Sequence, residues 1–232
     1  MKKRICRIIV LALAAFSAYA QQPNPASDFR FTERNGGITI TGYNNQEKKD
    51  VVIPEMINNL PVTVIGQFSF EEKGLTSVII PNSVISIERV AFAKNQLTSV
   101  IIPDSVTTIG NRAFGSNQLT SLTLGSGVTT IGNDAFGNNL LTVLIIPNSV
   151  ITIENFAFSN NRLTSLTIGD SVTTIRGSAF YENQLTSVTI PNSVTTIGGE
   201  AFSKNLITSV TVPRSANISR TTFDEGVRIT RQ

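Results

Sequence analysis

The chain repeats itself every 22 residues, and that period constrains what it can fold into more than any other feature. The unit is clear in Leu97 to Gln118, LTSVIIPDSVTTIGNRAFGSNQ, and copies start at Leu75, Leu97, Leu119, Leu141, Leu163 and Leu185, with a truncated one at Ile207. A unit this short cannot bury its own apolar face. It must stack on its neighbours, which makes the chain a solenoid whose coils touch only the coils beside them.

Inside the unit, Leu97, Val100, Ile102, Val106, Ile109, Ala113 and Phe114 recur as apolar positions, separated by Thr, Ser, Gly, Asn and charged residues. Side chains alternate faces along a strand, so Val100 and Ile102 point inward and Ile101 outward. Pro103 ends that strand, since proline is tolerated only where no ladder bond is required; Gly125 and Gly169 replace it in two copies. A second extended piece, Val106 to Ile109, leads to a turn at Gly110 and Asn111. An Ala-Phe pair then drives a ring inward at Phe92, Phe114, Phe136, Phe158, Phe180 and Phe202, with Phe70 as an early variant. The expected fold is a leucine-rich-repeat type of solenoid. Its 22-residue coils carry short parallel strands on one face, turns or short 3-10 segments on the other, and little regular helix.

Three residues after each phenylalanine stands an asparagine: Asn95, Asn117, Asn139, Asn161, Asn183 and Asn205. A carboxamide both donates and accepts, so a stacked file of them inside a corner can pair backbone groups of adjacent coils that would otherwise be buried without partners. Asparagine also favours left-handed turn conformations, so a simple turn role is the alternative. Both readings are structural.

Ahead of the array, Met1-Lys2-Lys3-Arg4 and the apolar run Ile8 to Phe16 read as a signal peptide over residues 1–20, with Ala18-Tyr19-Ala20 as its cleavage site. The apolar run is shorter than the roughly 20 residues that span a bilayer. Residues 21–28, QQPNPASD, have linker character and order is expected to begin at Phe29. Residues 29–50 hold a hairpin pattern around Asn35-Gly36-Gly37, read as an N-terminal cap for the exposed edge of the solenoid. The repeats run over 51–206, with a divergent first coil at 51–74 that carries an insertion, and 207–232 form a partial repeat and C-terminal cap.

Cleavage after Ala20 removes Lys2, Lys3, Arg4 and Arg7 from 19 basic residues, leaving 15 against 16 acidic ones, a net charge of −1. The basic isoelectric point therefore does not speak for nucleic acid, which needs a clustered basic footprint. The chain has no histidine, and its one cysteine, Cys6, leaves with the signal. That removes the usual metal ligands, the common general base and the thiol nucleophile. The carboxylates Asp104, Asp134, Glu154, Asp170, Glu182 and Glu200 are scattered at varied phases, as solvated loop charge is. No enzyme activity, metal or cofactor is expected.

The consensus L-T-S-V-x-I-P-x-S-V-x-x-I-x-x-x-A-F-x-x-N-x, seen as LTSVIIPNSVISIERVAFAKNQ from Leu75 and LTSVTIPNSVTTIGGEAFSKNL from Leu185, resembles the BspA-type leucine-rich repeat family over about residues 29–232. The resemblance implies a right-handed solenoid, secreted by bacteria or displayed on their surface, that binds other proteins such as host extracellular-matrix components and has no catalytic residues. Many repeats of that family carry cysteine where this chain has the Asn95 to Asn205 series. The exchange keeps the corner role and argues against redox chemistry.

Function then rests on surface. Coils about 4.8 Å apart would align the outward strand residues Ile79, Ile101, Thr123, Ile145, Thr167, Thr189 and Thr211 in a straight file, with a Ser file, broken by Val143, beside it. Apolar side chains gathered on such a face can mark an interaction patch, although isoleucine is also simply a good strand former. The candidate partner-binding set is Ile79, Ile101, Thr123, Val143, Ile145 and Thr167. Two function classes follow: a monomeric adhesion-type module that binds a protein through this face, or a structural component that self-associates through its ends. A minor third is a regular threonine surface that meets a glycan or ice.

Overall fold

The computed structural model describes residues 22–232; the expected signal peptide and Cys6 lie outside the described residues. The molecule is a β-solenoid, and its second extended pieces, two residues each, carry the continuous ladder. Ser86–Ile87, Thr108–Ile109, Thr130–Ile131, Thr152–Ile153, Thr174–Ile175, Thr196–Ile197 and Asn217–Ile218 pair in parallel, in register, from coil to coil. Together with the N-terminal strands they form one sheet of eleven. Each strand from Ser86–Ile87 to Thr196–Ile197 buries its isoleucine, Ile218 in the last is half-buried, and each leaves a hydroxyl or amide on the other face. β-branched residues suit such a half-buried pleat.

The first strands of the units behave differently from the evenly spaced files expected of them. They pair only two by two: Asp50–Val52 with Ser77–Ile79, Ser99–Ile101 with Ser121–Thr123, Val143–Ile145 with Ser165–Thr167, and Ser209–Val212 with Arg228–Arg231. No ladder joins one of these pairs to the next. The strand face is thus a series of two-coil plates, with no strand at this phase, among the described residues, in the coil that starts at Leu185. Plates end at the two copies where Gly125 and Gly169 replace the proline, and also at Ser77–Ile79, where Pro81 keeps it.

The core is a file of stacked rings. Phe70, Phe92, Phe114, Phe136, Phe158, Phe180, Phe202 and Phe223 lie 4.9–5.7 Å apart, centroid to centroid, and within 16° of parallel. Aromatic pairs at such separations add to the value of the area they bury. Phe223 joins the file although it arrives one residue early in the sequence.

Each ring is reached through a corner in which the residue before the Ala-Phe pair and the residue before the ladder asparagine both have positive φ. In successive coils these are Val90 and Lys94, Arg112 and Ser116, Asp134 and Asn138, Phe156 and Asn160, Ser178 and Glu182, and Glu200 and Lys204. Left-handed backbone is costly for residues with a Cβ. It is repaid in hydrogen bonds: the N–H groups of Val90, Phe92 and Lys94 donate to the carbonyls of Asn111, Ala113 and Gly115 at 2.7–3.0 Å, and later corners repeat the pattern. These corners are turns, and the 3-10 element among the described residues lies instead at Ala26–Asp28, before the first strand.

Both ends are closed by local chemistry. Phe29–Arg34 and Gly37–Tyr43 form the expected hairpin, turning through Asn35 and Gly36 at positive φ, and Gly37–Tyr43 pairs in parallel with Leu60–Ile65 to start the long sheet. The insertion in the first coil is a second hairpin, Met56–Ile57 against Leu60–Ile65. The described part of the expected linker, residues 22–28, is tied down, because Asn24 is buried. Its N–H donates to the Val52 carbonyl and its Oδ1 accepts from the Val52 N–H, both at 2.9 Å, while its Nδ2 reaches Asp28 at 2.7 Å. Tyr43, pushed up in pKa first by burial and then by the Asp28 charge, stays protonated and donates to the Lys48 carbonyl at 3.0 Å. At the far end the Thr221 and Thr222 carbonyls accept from Glu200 N–H and Phe202 N–H at 2.9 Å, and the Asp224 carboxylate takes the next place, accepting from Lys204 N–H and Asn205 N–H at 2.8 and 3.2 Å.

Candidate functional site

The asparagine file sits inside the corner, buried or half-buried, and three of its hydrogen bonds recur in every copy. Each Nδ2 donates to the phenylalanine carbonyl of the preceding coil at 2.8–3.1 Å. Each also donates to the phenylalanine carbonyl of its own coil, as Asn139 does to Phe136 at 3.1 Å. The Oδ1 atoms of Asn95, Asn117, Asn139, Asn161, Asn183 and Asn205 accept from the N–H of Leu75, Leu97, Leu119, Leu141, Leu163 and Leu185 at 3.0–3.2 Å. The left-handed residues are their immediate predecessors, not the asparagines themselves. The carboxamides therefore act as inter-coil pairing groups.

On the strand face, Ile79, Ile101, Val143 and Ile145 are all exposed, Ile101 to 68% and Ile145 to 64%. The plates decide which of the candidate residues meet. Ile101 is opposite Thr123, and Ile145 opposite Thr167 with Val143 two residues before it, while Ile79 stands opposite Val52. Between the plate of Ser121–Thr123 and that of Val143–Ile145 the ladder is interrupted and a hollow of about 460 Å³ opens, lined by Thr120 to Leu124 with Thr142, Val143, Ile145 and Pro147. Leu122 and Leu124, which the repeat places inward, are half-buried there and give the hollow an apolar floor. At the N-terminal edge of the same face, hydrogen bonds from the Thr76 and then the Ser77 hydroxyl hold the Asp50 carboxyl below its ordinary pKa. Asp104, at the following bend, is likewise lowered by the Ser126 N–H and hydroxyl.

Other exposed apolar residues escaped the sequence reading. Ile85 and Ile151 stand outward just before the continuous-sheet strands Ser86–Ile87 and Thr152–Ile153, and Phe68 and Phe156 project from the corner. The signal was available at the corner: Phe156 occupies a phase filled by Arg112, Asp134, Ser178 and Glu200 in other copies. Several carboxylates read as scattered charge are inter-coil ion pairs, Asp134 with Arg112 at 2.8 Å, Glu154 with Arg176 at 2.9 Å and Glu182 with Lys204 at 2.8 Å. Among the described residues no group of His, Cys, Asp or Glu is placed to hold a metal ion, and no helix is long and apolar enough to cross a membrane.

The recurring Leu, Pro, Ala-Phe and Asn positions of these coils match the model of the BspA type leucine-rich repeat region in six copies, over residues 42–155 and 108–230. The chain belongs to the BspA-type leucine-rich repeat family. A leucine-rich cell surface protein from Faecalibacterium prausnitzii has a crystal structure similar to this BspA-type solenoid, with a TM-score of 0.68 and 28% identity over 82% of this chain and 54% of that one. A leucine-rich repeat protein from Bacteroides ovatus shares the fold at a TM-score of 0.53 and 19% identity, over 88% of this chain and 65% of that one. The chain thus spans between about half and two thirds of the length of these proteins. No curated protein matches it.

Proposed function

We propose that this chain is an exported, adhesion-type, non-catalytic module that recognises a protein partner through the strand face, host extracellular matrix being the class that the family resemblance suggests. The observation that supports it most is the aliphatic file of Ile79, Ile101, Val143 and Ile145. These side chains stand in water, rimmed by serine and threonine, and Val143 and Ile145 line a hollow floored by Leu122 and Leu124. An apolar centre inside a polar rim is how protein interfaces are built, with a few central anchors supplying most of the energy. Stacked coils present such a face as one extended surface. End-to-end assembly is the less favoured reading. The first edge strand, Phe29–Arg34, carries Arg30, Glu33 and Arg34, and the last, Arg228–Arg231, carries an arginine at each end; edge charge of this kind opposes strand addition.

The test uses matched pairs. Ile101→Lys with Ile145→Lys places two charges in the proposed interface, where an unpaired buried charge is costly. Ile85→Lys with Ile151→Lys makes the same change just before strands of the continuous sheet. Against a partner captured from matrix extract, the first pair is expected to abolish binding and the second to leave it intact, with circular dichroism showing both folded. Intact binding by the first pair and loss in the second would move recognition to the opposite face.

A further inference from the structure

We propose that a second, separate site lies on the turn corner: the hollow lined by Arg112, Asp134, Asn138, Phe156, Ser159 and Asn160 binds a neutral saccharide unit. Its volume is about 340 Å³, at the small end of the range for ligand pockets, roughly 300 to 1,000 Å³.

The ring comes first. Phe156 is 49% exposed and sits at φ 58, a conformation in which a bulky residue is an outlier. The equivalent positions in neighbouring coils, Asp134 and Ser178, are polar, so the fold does not require an aromatic there. The backbone conformation is common to this phase in each full coil; what sets Phe156 apart from its immediate neighbours is the exposed ring it carries there. Phe68 occupies the same phase, but the Arg89 guanidinium already lies over its ring at 5.5 Å. The Phe156 ring instead borders an open hollow.

The polar groups around the ring define the ligand. Arg112 Nε pairs with Asp134 Oδ2 at 2.8 Å, so the two charges cancel locally. A net anion would meet Asp134 and a net cation Arg112, each already partnered. Asp134 Oδ1 lies over Gly137, in the space a Cβ there would take; the other copies have Ala93, Gly115, Ser159, Tyr181 and Ser203 at this phase. The backbone N–H groups of Asn138 and Asn160 are used by the Ser159 and Tyr181 carbonyls; both residues line the hollow, and each carries a carboxamide able to donate and accept. A flat ring with a negative face beside side chains that both donate and accept suits a ligand with one C–H face and a rim of hydroxyls. The C–H bonds rest on the ring quadrupole, and the hydroxyls take the amides and the carboxylate. A neutral hexose unit has that form.

The experiment titrates the isotope-labelled mature chain with cellotetraose, chitotetraose and mannotetraose, reading the side-chain amides of Asn138 and Asn160 and the ring of Phe156 by NMR. At least one of the three is expected to shift these signals saturably. Phe156→Ala should weaken that binding at least about tenfold, the loss of a single strong contact, and Phe156→Tyr should restore it. Gly137→Ala should weaken it as well by displacing Asp134. No shift with any of the three sugars, shifts that map elsewhere, or unchanged affinity in Phe156→Ala overturns the proposal. The Ile101→Lys, Ile145→Lys chain should titrate like the parent, so failure of the strand-face reading and failure of this one remain separable.

Discussion

Asn139→Ala removes one rung from the middle of the ladder, and the cost can be worked out group by group. The Nδ2 of Asn139 donates to the carbonyls of Phe114, Phe136 and Gly137 at 3.1, 3.1 and 3.2 Å. Each of those oxygens keeps another donor: Asn117 Nδ2 for Phe114, Asn161 Nδ2 for Phe136 and Ser116 N–H for Gly137. The Leu119 N–H has Asn139 Oδ1 as its partner at 3.0 Å, and Leu119 is fully buried. The variant therefore orphans one buried donor, at about 1 to 3 kcal/mol, and weakens three acceptors that stay satisfied, for a total of about 2 to 4 kcal/mol. Repeat arrays depart from two-state behaviour, so urea denaturation should be paired with hydrogen exchange, in which the Leu119 amide loses protection before amides two coils away. Asn139→Asp sharpens the test. A carboxylate facing three carbonyls raises the pKa of the folded state, so that variant is weakest at neutral pH and recovers as pH falls into the carboxylate range. An unchanged midpoint with an unchanged Leu119 exchange rate in Asn139→Ala would refute the pairing role.

Phe136→Ala opens the stack between rings 5.3 and 5.4 Å away and should cost about 3 to 5 kcal/mol, seen as a broadened denaturation transition. In hydrogen exchange, the Thr164 amide, which donates to the Thr142 carbonyl at 2.9 Å within a plate, should exchange more slowly than the Thr142 amide at the plate boundary. Acidification should fray the N-terminal plate first. The Asp50 carboxyl is depressed by the Thr76 and Ser77 hydroxyls, so its contribution is complete above the ordinary carboxylate range and is lost as pH falls through the lowered value; amide signals of Ser77–Ile79 report it.

The sequence carried the periodic part of this fold and not the part that breaks the period. Inward Val100, Ile102, Ile109 and Phe114, the asparagine corner and the N-terminal hairpin all follow from side-chain phase, because every coil solves the same burial problem with the same residues. The plates do not. Ser99–Ile101 and Ser121–Thr123 pair while Ser121–Thr123 and Val143–Ile145 do not. A consensus averages away departures such as Gly125 in the place of the proline, and a repeat pattern alone does not say which neighbouring coils pair. The hollow over Leu122 and Leu124 was hidden for the same reason. Asn24 was hidden for another: a polar, proline-bearing stretch reads as loose until a partner as distant in sequence as Val52 is known.

The corner that holds Phe156 offers a way to see strain directly, because the ring can be removed in three ways that differ only in backbone preference. Phe156→Ala, Phe156→Asn and Phe156→Gly all lose the same exposed ring, so the packing loss is common to them. In right-handed or extended backbone alanine would be the most stable of the three, since glycine loses more conformational freedom on folding. At φ 58 the order inverts: a Cβ costs roughly 1 to 2 kcal/mol in left-handed backbone, while glycine escapes that cost and asparagine recovers part of it through its short polar side chain. The Phe156 N–H also donates to the Gly177 carbonyl at 3.1 Å, a bond that all three variants can keep and that holds the backbone where it is. Thermal unfolding should therefore rank Gly and Asn above Ala by about 0.5 to 1 kcal/mol, a few degrees in a domain of this size. Alanine at the top of the series would mean that the corner relaxes out of the left-handed region once the ring is gone, and that the phenylalanine, not the inter-coil hydrogen bonds, had been imposing the strain.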